Sequence, residues 1–433
     1  MKPKIIIFLF FCFANFEGFT QAFSPYVHKL KTTSDWNAIC LFNDNIYFSI
    51  ATTSFDDGFG TMIVKVSKDL KTGSMVQNLD GSEYGRLGVF NNKLVGSSFT
   101  TDYKNTYNGQ ITIFNGNGKK IGPIILGDTA NSIENINEID EEILACGSYS
   151  GRPFPGYVWR ESGFLARYSL AGIKKWERYY RRDWNGFKSA VFDYVYHTRN
   201  NQILVIGRSH YDSTASIYQK RIITALIDTS GNLIEANSEM DTFGLQYSTV
   251  TRSNILPDIS YAGSVQLNDS TYCALIYNVT NSLNLDPTWV FFNDKGKIVK
   301  TRKAWMFGDS VNNPLVFNAT FKGLVKSQTR NEFLAHCFFD DSIDRQRMLV
   351  LDNNLYIKKV YPGLPTYDTK NSHAGLMAFV QDEDKNFYQL RFLDIDSISS
   401  TSTYGSLVCK LDSNGKLLSN GPLFPVGIQE VKN

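Results

Sequence analysis

Along most of the chain, short apolar runs of four to six residues are bounded by clusters of Asn, Asp, Ser and Gly, and no long amphipathic helix interrupts them. Such a pattern predicts strands joined by tight turns. One unit recurs: a strand, a four-residue turn and a second strand carrying Lys or an aliphatic residue. It reads "IVKVSKDLKTGSMV", "ITIFNGNGKKIGPI", "LARYSLAGIKKWERY", "ITALIDTSGNLIEA", "WVFFNDKGKIVKTR", "MLVLDNNLYIKKVY" and "LVCKLDSNGKLLSN". The turns end at Leu70, Gly118, Gly172, Gly231, Gly296, Leu355 and Gly415, at spacings of 48, 54, 59, 65, 59 and 60 residues. Gly takes the positive φ such a turn needs, and Asp or Asn at its start can bond the turn backbone. Leu70 and Leu355 break that rule, which predicts two turns of a different shape.

A second hairpin alternates with the first, also in seven copies: "AICLFNDNIYFSIA", "LGVFNNKLVGSSF", "INEIDEEILACGS", "VYHTRNNQILVIGRS", "SVQLNDSTYCALIYN", "VKSQTRNEFLAHCFF" and "AFVQDEDKNFYQLRF". Two hairpins per repeat make four antiparallel strands, the composition of a propeller blade. The expected fold is therefore all-β, a seven-bladed β-propeller of four-stranded antiparallel blades. A parallel β-helix has a shorter period, and a β-sandwich does not repeat seven times. At 433 residues the chain could hold two or three ordinary domains, but a repeat array runs this long as one unit. Ring closure is left open: either 24–35 or the tail after Pro422 could add a strand to the partner blade.

The N-terminus reads as a secretory signal. Lys2 and Lys4 precede the apolar run 5–13, and Thr20-Gln21-Ala22 offers small residues for cleavage after Ala22. The expected organisation is a signal peptide over 1–22 and a single propeller over 23–433. No later segment approaches the roughly 20 apolar residues of a membrane-spanning helix. Cys40, Cys146, Cys273, Cys337 and Cys409 are far apart and embedded in apolar runs, so they read as small core residues. A Cys40–Cys409 bridge at a ring closure is the one disulfide considered. With 44 basic and 42 acidic residues the chain has no global field to attract nucleic acid.

Because neighbouring strands run in opposite directions, both series of short turns fall on one face of the ring, and every other connection falls on the opposite face. Those others are the longer ones: 52–60, 99–109, 150–163, 181–190, 209–220, 239–261, 302–321 and 361–374. They predict an elaborated working face. Its richest chemistry is in the third repeat. "GRPFPGYVWRESG" carries Arg152, Phe154, Tyr157, Trp159 and Arg160, and "RRDWNG" carries Arg181, Arg182, Asp183 and Trp184. Aromatic rings beside guanidinium groups suit stacking on sugars or gripping carboxylates and phosphates. The competing reading has the aromatics packing loops onto the blade while the Arg residues are solvated. The candidate ligand-binding set is Arg152, Tyr157, Trp159, Arg160, Arg181, Arg182 and Trp184.

Other motifs carry less. "DEDKN" (Asp382, Asp384, Asn386) opens like a calcium loop, but Phe387 and Leu393 stand where Gly and Glu are needed. His28, His197, His210, His336 and His373 show no metal-ligand spacing. There is no nucleophile elbow and no phosphate loop. The paired carboxylates Asp56–Asp57 and Asp340–Asp341 read as turn formers. Of the Trp positions a quinone-binding propeller would need, only Trp176 is in register. No catalytic residue, metal or cofactor is assigned.

The "D-x-x-G" hairpin, with Trp and then a hydrophobic hairpin as in "SLAGIKKWERYY" and "NNQILVIGRS", resembles secreted β-propeller repeat proteins of the Bacteroidota. The resemblance covers nearly all of the chain after residue 22. In that group the tail "VGIQEVKN" looks like the junction to a type IX secretion sorting domain, which these 433 residues do not contain. The expected function is an exported, non-catalytic binding or interaction propeller, monomeric, that is periplasmic, cell-surface or secreted. It would contact a glycan, an anionic polymer or a cell-surface protein through its long-loop face. The alternative is an envelope hydrolase or lyase acting on polysaccharide at the axis.

Overall fold

The structure is a computed structural model that describes residues 39–54, 58–79, 86–101, 107–115, 120–125, 131–150, 161–180, 189–214, 217–237, 249–251, 263–281, 284–304, 319–327, 331–339, 346–361, 375–394, 404–421 and 424–427. These form a seven-bladed β-propeller whose blades cover 39–79, 86–125, 131–180, 189–237, 263–303, 319–361 and 375–420. In each blade the four strands are consecutive in the chain and pair antiparallel in the order in which they occur. The first strands sit innermost: Ile39–Phe42 of blade 1 lies against both Arg86–Phe90 of blade 2 and Gly375–Gln381 of blade 7.

The apolar runs have a direct structural reason. Side chains alternate between the two faces of a strand, and in a propeller each face of a blade packs on a different neighbour. In blade 6, Phe333 and Ala335 pack with blade 5 residues, while Leu334, between them, packs with blade 7. The buried residues fall into seven clusters, each shared by two adjacent blades. Strands buried on both faces lose the hydrophobic-polar alternation of a half-exposed sheet.

Closure follows from one of these clusters. Ile39, Ile46, Phe48, Val64, Val66 and Leu70 of blade 1 pack with Val380, Tyr388, Leu390 and Val408 of blade 7. Among the described strands none is exchanged between these blades. The tail strand Phe424–Gly427 pairs with Tyr404–Ser406 of its own blade, so it does not supply a strand to blade 1. Segment 24–35 lies outside the described residues. Cys40 and Cys409 are both free and buried, which removes the closing disulfide. Burial pushes the Cys40 thiol up to about 12, as expected of a thiol serving as a small core residue.

The expectation that Leu70 and Leu355 make turns of a different shape is overturned. Leu70 has φ 61° and Leu355 φ 64°, beside 86°, 85°, 73° and 81° for Gly172, Gly231, Gly296 and Gly415. The same bond closes each turn, Leu70 N to Ser67 O and Leu355 N to Asp352 O, as Gly415 N to Asp412 O. What differs is the neighbouring blade. Over Gly231 lie Trp176 and Arg178, and a Cβ on Gly415 would meet Tyr361 Cδ1 at 2.5 Å. Facing Leu70 is Gly421, where an added Cβ would stand 3.6 Å from the Leu70 Cβ. Leu355 shares its cluster with the small Ala304. At Gly231, Gly296 and Gly415 the preceding blade supplies the bulk, whereas at Leu70 the preceding blade offers a Gly. Left-handed backbone costs a Leu about 1–2 kcal/mol, and burying its side chain returns about 2 kcal/mol; Leu70 and Leu355 are 4% and 1% exposed.

Candidate functional site

The short-turn face is built for rigidity. The Oδ1 atoms of Asp228, Asn293, Asp352 and Asp412 each accept the backbone N–H groups two and four residues further on. Ser169 Oγ does the same. These bonds hold the Asp228 and Asp412 carboxyls below the usual carboxylate range, chiefly through the Asn232 and Lys416 amides. Each turn is also fastened to the preceding blade through its own carbonyls. Trp176 Nε1 donates to Thr229 O and Tyr180 Oη to Gly231 O, both at 2.8 Å. Thr224 Oγ1 reaches Gly296 O at 2.7 Å, Arg302 Nη2 reaches Asn354 O at 2.7 Å, and Lys359 Nζ reaches Ser413 O at 3.1 Å.

Contacts between the two turn series place both on one face. Lys68 Nζ lies 3.1 Å from Asp44 Oδ1, and Arg199 Nε lies 2.8 Å from Asp294 Oδ2 of the next blade. The "DEDKN" segment belongs here as a turn: Asp382 Oδ1 accepts Asn386 N, and Oδ2 accepts Asn386 Nδ2 and lies 3.1 Å from Tyr388 Oη. A polar cleft of about 420 Å3 on this face of blade 6, lined by Asn331, Glu332, Asp352, Asn353, Asn354 and Lys358, is spanned by the Glu332–Lys358 ion pair at 2.6 Å.

The opposite face carries paired arms within 52–60, 99–109 and 209–220, which corrects the expectation that these three connections are irregular loops, while 151–160, 181–188, 252–262, 305–318 and 362–374 lie outside the described residues. The stretch 52–60 is a ladder running Thr52–Gly60, Thr53–Phe59 and Ser54–Gly58. Phe99–Gly109 continues to Thr101–Tyr107. In blade 4 the strands Ile203–Thr214 and Ile217–Ile227 stay paired to Thr214–Ile217, with a bulge between Asp212 and Thr214, and Thr249–Thr251 pairs with Ile217–Gln219 on the outer side. Alternating Thr, Tyr and Phe in these stretches are strand formers, so the ladder carries on where a loop was expected.

The candidate ligand-binding residues Arg152, Tyr157, Trp159, Arg160, Arg181, Arg182 and Trp184, with Phe154 and Asp183, all lie outside the described residues. The strand ends flanking them are described: Ser150 pairs with Glu161 at the arm side of blade 3, and Tyr180 ends the outer strand beside Gly163.

The innermost strands hold charged residues that the sequence reading missed. In four blades the innermost strand bulges at one equivalent place, where a residue is passed over in the pairing. Ile133 pairs with Gly147 and Asn135 with Cys146, omitting Glu134; Phe192 pairs with Gly207 and Tyr194 with Ile206, omitting Asp193. The bulges in blades 6 and 7 omit Lys322 and Met377. Asp193 is buried, with Oδ1 3.5 Å from Arg208 Nη2. A bulge re-aims side chains and is frequent beside functional sites. The signal was present in the Gly that ends "ILACG" and "ILVIG", because at Gly207 the Val191 carbonyl oxygen occupies the space of a Cβ. Among the described residues, no three His, Cys, Asp or Glu side chains gather as a metal site would require.

The strands and their pairing define a seven-bladed β-propeller with its short turns on one face and its paired arms on the other. No protein-family model matches the chain, and no curated protein matches it. Among solved structures it resembles a puromycin hydrolase mutant complexed with PGG, at TM-score 0.50 and 8% identity, over 95% of this chain and 57% of that one. It also resembles the β-propeller domain of the Trilobed protease from Pyrococcus furiosus, described as having an open velcro topology, at TM-score 0.45 and 10% identity, over 86% and 93% of the two chains. A putative 6-phosphogluconolactonase from Bacteroides uniformis matches at TM-score 0.44 and 11% identity, over 89% and 99%. These likenesses are of fold alone. No helix among the described residues is long and apolar enough to cross a membrane.

Proposed function

We propose that this chain is an exported binding propeller that takes a glycan or an anionic polymer on its arm-bearing face. The observation that carries the reading is the division of labour between the faces. Both short-turn series are tied together on one side, so the arms and the connections between blades all leave from the other. Residues 151–160 and 181–188, rich in Trp and Arg, join strands that end on that side. Indole and guanidinium groups bind sugars and acidic polymers through stacking and bidentate hydrogen bonds.

The test is an array of neutral glycans and acidic polymers probed with wild type, Trp159→Ala and Trp184→Ala. Retention of one ligand class by wild type, weakened about tenfold or more in either variant, is the expected result. Equal retention by all three proteins overturns the reading. A hydrolase or lyase reading is favoured by one observation, the bulges that omit Glu134 and Asp193 in adjacent innermost strands. In the same array, shortening of a polymer by wild type would support that reading over simple binding.

A further inference from the structure

We infer that the ring has a built-in opening point at the junction of blade 7 with blade 1, with Leu70 as its latch. Adjacent blades elsewhere in the ring are consecutive in the chain, so the connecting segment limits how far they can part. Blade 7 and blade 1 are not consecutive, and among the described strands none passes between them. Side-chain packing holds this junction, with the Tyr388 hydroxyl lying 3.3 Å from the Lys68 carbonyl oxygen and 3.1 Å from Asp382 Oδ2, sharing one proton between them. At the junction of blades 3 and 4, by contrast, two separate donors each reach a turn carbonyl at 2.8 Å.

Leu70 is placed to act as the latch. Its backbone is held left-handed at φ 61°, and its side chain inserts among Val380, Tyr388, Leu390 and Val408 of blade 7 opposite Gly421. Withdrawing that one side chain removes the burial that offsets the turn's strain, so opening is coupled to a single turn. Parting of the two blades gives lateral access to the innermost strands. It does so without breaking any described sheet, because every blade keeps its own four strands.

The geometry supplies a staple for testing this. A Cβ at Gly421 lies 3.6 Å from the Leu70 Cβ, inside the about 3.5–4.5 Å range that a disulfide spans. The described free cysteines are buried and do not compete for it. Hydrogen exchange of the full chain, read by peptide mass spectrometry, is expected to show amides of Asn45–Ser54 and Phe387–Asp394 exchanging at least tenfold faster than those of Glu142–Ser150 and Ile203–Thr214. Oxidised Leu70→Cys/Gly421→Cys should abolish that difference, and the same variant reduced should restore it. If the double variant does not fold, Leu70→Ala decides: it should raise exchange in blades 1 and 7 and leave blades 3 and 4 unchanged. Uniform protection around the ring, an oxidised staple without effect, or a Leu70→Ala effect spread over all blades each overturns the inference.

Discussion

Blade 7 meets its two neighbours in opposite senses. Toward blade 6 it offers a hole, Gly415, which receives the ring of Tyr361; toward blade 1 it again offers a hole, Gly421, but this one lies on its outer edge and receives Leu70 from the neighbour's turn. At the first junction the turn is small and the strand large, and at the second the turn is large and the strand small. The backbone of the turn is the same in both, with φ 81° at Gly415 and 61° at Leu70. The turn shape is therefore a property of the repeat, and the residue in it is chosen by the blade next door.

The largest effect is expected from forcing the two junctions to be alike. Gly415→Leu places a Cβ 2.5 Å from Tyr361 Cδ1 and adds left-handed strain, a destabilisation of about 3 kcal/mol or more. Adding Tyr361→Gly should recover a large part of it by recreating the blade 7–blade 1 arrangement. Urea unfolding of the two single variants and the double variant measures this coupling, and strict additivity would break the comparison. A smaller effect separates packing from hydrogen bonding. Tyr361→Phe keeps the ring over Gly415 but loses its bond to the Ser413 carbonyl, at a cost of about 1 kcal/mol, visible as a lower thermal midpoint.

The smallest effect concerns acid. Asp412 in the Gly turn and Asp69 in the Leu turn are both held below the usual carboxylate range, the first mainly by the Lys416 amide and the second mainly by the Ser67 hydroxyl. A carboxyl depressed in the folded state stabilises above its unfolded value, about 3.9, and that stabilisation is lost as pH falls through the folded value. The thermal midpoint should thus be flat above pH about 5 and fall below about 4. Asp412→Asn and Asp69→Asn should each flatten the acid limb by similar small amounts, since both carboxylates are in water. A large difference between them would show that the two turns are not equivalent.

These junctions also mark what the sequence could tell. The blade count was legible, because turn residues and apolar runs recur locally and each hairpin is a neighbour-to-neighbour event. The pairing of Leu70 with Gly421 was not. Position 70 violates the turn rule only when read alone, and the residue that permits it lies 351 positions away. Strand ends were misplaced on the arm side for a similar reason. Thr, Tyr and Asp in 209–220 suit a loop tip as well as a ladder, and pairing with Thr249–Thr251 is a tertiary event. The innermost-strand bulges at Glu134 and Asp193 leave only a Gly one strand away as their trace. The Trp- and Arg-rich segments of the third repeat were legible as composition, and their positions lie outside the described residues.

The order of assembly follows from the way the strands are dealt out. Within a blade, and between consecutive blades, contacts join segments a few tens of residues apart; Lys359 and Ser413 are separated by 54 positions. The bond from Tyr388 to Lys68 spans 320. That is about 2.5 doublings in loop length and adds about 1.5 kcal/mol of loop-closure entropy. The blade 7–blade 1 junction is therefore expected to close after the junctions between consecutive blades. Until blade 7 forms, Ile39, Ile46, Phe48, Val64 and Val66 have no partner to cover them, and the nascent ring carries an apolar face as sticky as any it will bury.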